Sequence, residues 1–168
     1  MSSKQVFYIF SRNKKIGSKM ISWFSGFITK DLEKVPSHVA ALAVDGSGHG
    51  LVYESTLSSG VRIIFYTKWL EINEQCYVVP SGKLYHSEGE INSLLEQVWG
   101  KPYDWLGILY FAWRGFLLIY FKKDLPNDNR WSSDSKFFCC EFVGTLDDRD
   151  FSMTTPAKMC SEMLKDKK

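Results

Sequence analysis

The run Ser37-His38-Val39-Ala40-Ala41-Leu42-Ala43-Val44, closed by Asp45-Gly46-Ser47-Gly48 and answered by Leu51-Val52-Tyr53-Glu54, constrains this chain more than any other feature. Its first part is apolar on both faces, which suits a central strand covered above and below. The turn is the strongest reversal signal in the sequence and folds the next strand back as an antiparallel partner. A reversal centred near Gly46 pairs residues whose numbers sum to about 92, so Glu54 falls opposite or nearly opposite His38. Opposed side chains share a face with Cβ atoms ~5 Å apart. A slip of one residue would put the imidazole and the carboxylate on opposite faces. Brought together, the two fit either a structural hydrogen-bonded pair or two members of a catalytic set.

The remaining apolar patterns extend this hairpin into a sheet and then change period. Residues 5–11 alternate with β-branched and aromatic side chains and read as a first strand. Residues 61–66 read as a strand after Ser58-Ser59-Gly60, and residues 76–79 as a short strand ended by Pro80 and Gly82. Between the first two strands, Ile16, Met20, Ile21, Trp23, Phe24, Phe27 and Ile28 fit an amphipathic helix. Residues 67–72 fit a single helical turn. Beyond Gly82 the period is helical. Ser87-Glu88-Gly89-Glu90 is a capping box ahead of Ile91, Leu94, Leu95 and Val98, and Gly100 with Pro102 stops that helix. The fold class expected is α+β, an antiparallel sheet packed against helices. A chain of 168 residues is expected to form one domain, 1–168, with residues 150–168 as a C-terminal helix and tail.

Trp105–Phe121 is apolar except for Arg114. Its length is at the lower limit of a membrane span and the arginine lies near its middle, which argues against crossing. A buried helix, or two short helices meeting at Gly115, is the first expectation. An aromatic surface that rests on lipid or encloses an acyl chain is the other, and Lys122-Lys123 suits either a helix C-terminus or a headgroup region. Residues 124–135 read as a loop, and Thr154-Thr155-Pro156 caps a last helix carrying Met159, Cys160, Met163 and Leu164.

The loop leads into Phe138-Cys139-Cys140-Glu141-Phe142-Val143. On a helix, Cys139, Phe142, Val143 and Leu146 occupy the i, i+3, i+4, i+7 positions of one buried face, and Cys140 turns about 100° away from it. A thiol in the first turn sits at the positive end of the helix dipole, which favours thiolate. A buried cysteine also serves plain packing. The four cysteines show no CxxC spacing, so neither a zinc site nor a thioredoxin motif is expected, and no cofactor is implied. A net charge of +2 gives no reason to expect nucleic acid as a partner. The start Met1-Ser2-Ser3-Lys4-Gln5 lacks a secretory signal, so a cytoplasmic setting with reduced thiols is expected. A cysteine hydrolase needs a thiolate, a base to hold its proton and a group that orients the base. Cys139, His38 and Glu54 supply those residue types. The backbone N–H of Cys139, at a helix start, is placed to receive an oxyanion. His49 and His86 are weaker base candidates in polar turns.

These motifs in this order resemble the circularly permuted NlpC-type cysteine hydrolases, the YiiX-like branch of papain-like folds. The likeness lies in Ser37-His38-Val39-Ala40, Val52-Tyr53-Glu54-Ser55, Gly60-Val61, Lys101-Pro102-Tyr103-Asp104 and Phe138-Cys139-Cys140-Glu141-Phe142-Val143, preceded by the Met20-Ile21-Ser22-Trp23-Phe24 helix. It spans about residue 6 to about residue 146. The family commonly has Cys-Ser-Glu at the nucleophile, and Cys140 stands here at the serine position. The resemblance implies a permuted papain-like fold, Cys139 as nucleophile, His38 as general base, Glu54 as its orienting group and Tyr103 at the substrate. It further implies cleavage of a peptide, amide or lipid ester through an acyl-cysteine. The competing expectation is a catalytically inactive interaction module of the same fold, binding a protein or a membrane through Trp105–Phe121.

Overall fold

In the computed structural model, which describes residues 4–13, 16–85, 88–123, 136–147, 149–152 and 154–165, the alternating residues of β1 (Lys4–Arg12) lie inside an antiparallel sheet. Its other strands are β2 (His38–Val44), β3 (Gly50–Thr56), β4 (Gly60–Phe65) and β5 (Glu74–Tyr85), in the order β4-β3-β2-β1-β5. Helix α1 (Ile16–Ile28) leads from β1 toward β2, and α2 (Tyr66–Ile72) links β4 to β5. Four helices follow: α3 (Glu88–Glu96), α4 (Trp105–Phe121), α5 (Cys139–Asp147) and α6 (Pro156–Lys165). The class is α+β.

The period of two sorts the strand residues onto two covered faces. Tyr8, Phe10, Val39, Ala41 and Tyr53 meet Cys139, Phe142 and Val143 of α5 and Met159 of α6 in the larger core. Ile9, Ala40, Leu42 and Val52 meet Trp69 of α2 in the smaller one. Coverage on both sides is why β2 reads as a continuous apolar run.

The β2–β3 register differs from the expected one in an instructive way. Ala41 faces Tyr53 and Val44 faces Gly50, pairs whose numbers sum to 94. The reversal is wider than a tight turn on Gly46. The Asp45 N–H donates to His49 O at 3.1 Å, while Asp45 Oδ1 accepts from the N–H groups of Ser47 and His49. The shift is even, so it leaves His38 and Glu54 on one face of the sheet. The β2–β3 ladder also stops at Ala41–Tyr53. Past it, β2 remains paired with β1 as far as His38, and β3 with β4 as far as Thr56. The sheet therefore opens between its two middle strands at this end, and α5 packs across both of them.

Three other expectations change. β5 does not stop at Pro80 but runs on to Tyr85, with its pairing to β1 shifting between Gln5 and Phe7. A proline is tolerated there because β5 is, among the described residues, an edge strand. α4 is one continuous helix through Gly115 and is not a buried one: Trp105, Leu109 and Trp113 are each about half exposed. Cys140 is as buried as Cys139. The far side of α5 is also covered, and a Cβ at Gly144, one turn after Cys140, would overlap the Arg149 carbonyl oxygen. The cap at Ser87, His86 and the 124–135 loop lie outside the described residues. Among the described residues no helix is long and apolar enough to cross a membrane. None of their His, Cys, Asp and Glu side chains form a group of three able to hold a metal ion.

Candidate active site

α5 begins where its sequence can close a helix. Glu141, in the first turn, reaches back so that its Oε2 accepts the backbone N–H of Phe138 at 3.1 Å, one half of a capping box. Cys139 is thus the first helical residue, and its N–H belongs to the set without intrahelical partners. The chain just before it is held from two sides. Ser55 Oγ of β3 donates to Phe137 O at 2.7 Å, and Phe137 exchanges main-chain hydrogen bonds with Pro102 and Asp104. The Lys101–Asp104 run is in turn tied to β4, where the Val61 N–H donates to Lys101 O at 3.2 Å. Gly60 makes that approach feasible. It has φ +62°, and a Cβ there would overlap the Lys101 carbonyl oxygen. These ties place Tyr103 beside the thiol.

At the opened end of the sheet, His38 Nε2 lies 2.8 Å from Glu54 Oε2. A two-residue offset across the strands is within reach of these longer side chains. The Cys139 sulfur is near enough to the imidazole to act on its titration as a partner and as a charge. With Nε2 committed to the carboxylate, Nδ1 is the nitrogen left for the thiol. Glu54 stands on the Trp69 side of the sheet and Cys139 on the opposite side, at the end where the β2–β3 ladder has stopped.

Glu54 is wholly buried and every lone-pair direction in use has a donor. Arg62 donates through Nε and Nη2 to Oε1 at 2.8 and 2.6 Å, and Trp69 Nε1 donates to Oε2 at 3.0 Å. Burial is the largest single influence on this carboxyl and pushes its pKa up. The hydrogen bonds and charges of His38 and then Arg62 together outweigh it, bringing Glu54 down to about 2. For His38, burial likewise acts first and lowers the pKa. The hydrogen bonds and negative charges of Cys139 and Glu54 overturn it and raise the imidazole to about 10.

Among the chain's cysteines, only Cys139 is driven toward the thiolate. The hydrogen bond from the Cys140 thiol acts most strongly. Burial opposes it, and the hydrogen bond and positive charge of His38, with the Val39 N–H, carry the Cys139 pKa well below its ordinary value. Tyr103 lies near the same sulfur. Its own pKa is raised, first by burial and then by the negative charge of Cys139. Burial raises Cys140, Cys160 (to about 12) and the half-buried Cys76.

The structure brings together Cys139, His38, Glu54 and Tyr103. His49 is exposed and bonded within its own turn, to Ser47 Oγ at 2.7 Å. Sequence reasoning missed four contributors: Arg62, Trp69, the Val39 N–H and the Cys140 thiol, which the helical spacing turns away from the buried face. Arg62 was within reach, since the turn at 58–59 pairs it directly with Glu54. Trp69 and Val39 carried no local signal. No family model, no curated protein and no solved structure matches this chain.

Proposed function

We propose that this protein is a thiol-dependent hydrolase of the permuted NlpC-type, papain-like kind, acting on an amide or ester through an acyl-cysteine. One observation carries the reading. Of the chain's thiols, the one at a helix start lies beside an imidazole that a buried carboxylate holds at 2.8 Å and that favours its thiolate. In this reading Cys139 attacks the carbonyl carbon as thiolate, and its sulfur forms the new bond. The imidazolium of His38 gives its proton to the departing amine or alcohol. His38, now neutral, then takes a proton from the water that hydrolyses the acyl-cysteine. Glu54 keeps the ring in place and favours its charged form. In this reading the N–H of Cys139 at the open helix end receives the charge that develops on the tetrahedral oxygen. The order of the elements agrees: the strand with the base, the strand with the carboxylate, then the nucleophile helix laid across both.

The alternative, a binding module without catalysis, is favoured by the burial of Cys139, which is 1% exposed. Labelling with a small acyl-type electrophile separates the two. The hydrolase reading expects labelling that is abolished by Cys139→Ala and by His38→Ala and kept by Cys140→Ser. Labelling that survives Cys139→Ala and vanishes with Cys140→Ser moves the nucleophile by one residue. A folded wild-type protein that takes no label, and cleaves no member of a peptide and lipid-ester panel, leaves the binding module standing.

A further inference from the structure

Helix α4 turns a row of large apolar side chains toward solvent. Trp105, Leu109, Trp113, Phe116 and Tyr120 follow one another at spacings of four and three residues and form a single stripe. Trp105, Trp113 and Tyr120 are 50%, 46% and 65% exposed. The lower half is a run of touching rings, with Trp113 against Phe116 at 5.6 Å and Phe116 against Tyr120 at 4.8 Å between centroids. The helix's other side buries Gly107, Tyr110 and Gly115. An exposed apolar patch of this extent marks an interaction surface.

The charges around the stripe say what covers it. The 17 residues of α4 include no carboxylate, and the helix runs out into Lys122 and Lys123, both exposed. α1 packs against α4, likewise holds no Asp or Glu, and shows Trp23 and Lys19 to solvent. Tryptophan and tyrosine with flanking lysines suit the boundary between acyl chains and anionic headgroups. α4 is about 25 Å long, too short to cross and suited to lying flat.

We propose that α4 docks this protein onto an anionic bilayer surface, with the Trp105–Tyr120 stripe in the acyl boundary and Lys122 and Lys123 on the headgroups. The proposal does not depend on the thiol chemistry. It has one consequence for that chemistry: α4 starts two residues after Tyr103, so docking holds the thiol site beside the membrane.

Vesicle flotation of the full chain carrying Cys139→Ala tests it, with pure phosphatidylcholine vesicles beside phosphatidylcholine–phosphatidylserine ones. The chain should float with the mixed vesicles, weakly with the neutral ones, and less as salt rises. Lys122→Gln with Lys123→Gln should weaken binding on the order of tenfold. Trp113→Glu should abolish it while circular dichroism stays unchanged. No flotation by the folded chain, or flotation indifferent to lipid charge and to the lysine changes, overturns the proposal. So does a dimer in sedimentation that Trp113→Glu dissociates without any vesicle binding, which would assign the face to a second copy of the chain.

Discussion

Replacing Glu54 by Gln keeps the shape of the side chain and removes its charge, and the structure fixes what that should cost. The carboxylate accepts from Arg62, His38 and Trp69 with both oxygens engaged. An amide turns its NH2 group toward one of those donors, so a donor meets a donor, and Arg62 and His38 lose their counter-charge. Leaving one partner of a buried ion pair alone costs about 3–5 kcal/mol. The titration gives a second route. Glu54 falls from 4.5 to about 2 on folding, and each pKa unit is about 1.4 kcal/mol, so the charged form contributes about 3 kcal/mol. Because the folded value lies below the unfolded one, this contribution is complete above about pH 4.5 and is lost as pH falls through about 2. His38 behaves in the opposite sense. Its folded value is raised to about 10, so its share is complete below about 6.5 and is lost as pH rises toward 10. Urea unfolding of both proteins should therefore show a gap of about 3 kcal/mol near pH 6. The gap should narrow below pH 4.5 and narrow again, less steeply, above pH 7. A gap that stays constant from neutral pH to the acid limit of folding would mean that packing, not charge, is what the glutamine disturbs, and the electrostatic account would fall.

Two further outcomes follow from the same geometry. Alkylation of Cys139 by iodoacetamide, read by mass spectrometry of its peptide, should stay near its maximal rate from pH 9 down past neutrality and fall only in acid, because the thiolate is held well below the ordinary thiol value. His38→Ala should move that fall upward, and Cys160 should stay unreacted throughout. Gly60→Ala should destabilise the fold by about 3 kcal/mol, from about 1–2 for the left-handed backbone and the rest for displacing the Lys101 carbonyl. The same change should slow Cys139 labelling, since the displaced run carries Tyr103; a full labelling rate in a destabilised protein would separate Tyr103 from the thiol's chemistry.

What could be read in the sequence was what depends on period and local turns. Cys139, Phe142, Val143 and Leu146 are all buried, as their spacing requires. His38 and Glu54 meet because an even error in the register leaves face assignment untouched, whereas an odd one would have parted them. The failures have one physical source. Periodicity identifies the most apolar face of an element but does not say whether a neighbour covers the other faces. Cys140 falls by its spacing on the less apolar side of α5, yet the chain returning at Arg149 and Phe151 closes that side. α4 is expected first to be buried because it is apolar except for Arg114, yet among the described residues Trp105, Trp113 and Tyr120 stay about half exposed or more. Trp69 reaches Glu54 only because α2 folds back under the sheet, a contact with no sequence spacing to announce it.

The buried charges of the site make sense only as a chain. Arg62, Glu54, His38 and Cys139 alternate plus, minus, plus, minus when the thiolate forms, and the sum is zero. An isolated carboxylate or thiolate at these depths would take up a proton, and an isolated imidazolium would lose one. Each link instead holds its neighbour in the charged state, and Arg62, at 30% side-chain exposure, carries the series toward solvent. The order matters for reactivity. Glu54 stands two links from the sulfur, so its charge reaches the thiol through the imidazole and weakly across distance. Removing Arg62 should therefore disturb Glu54 first, His38 less and the thiol least, whereas removing His38 should disturb the thiol directly. That gradient separates a catalytic chain from a buried ion pair that happens to lie near a cysteine. In the second case, changes at Arg62 and His38 would alter stability and leave the thiol's titration where it stood.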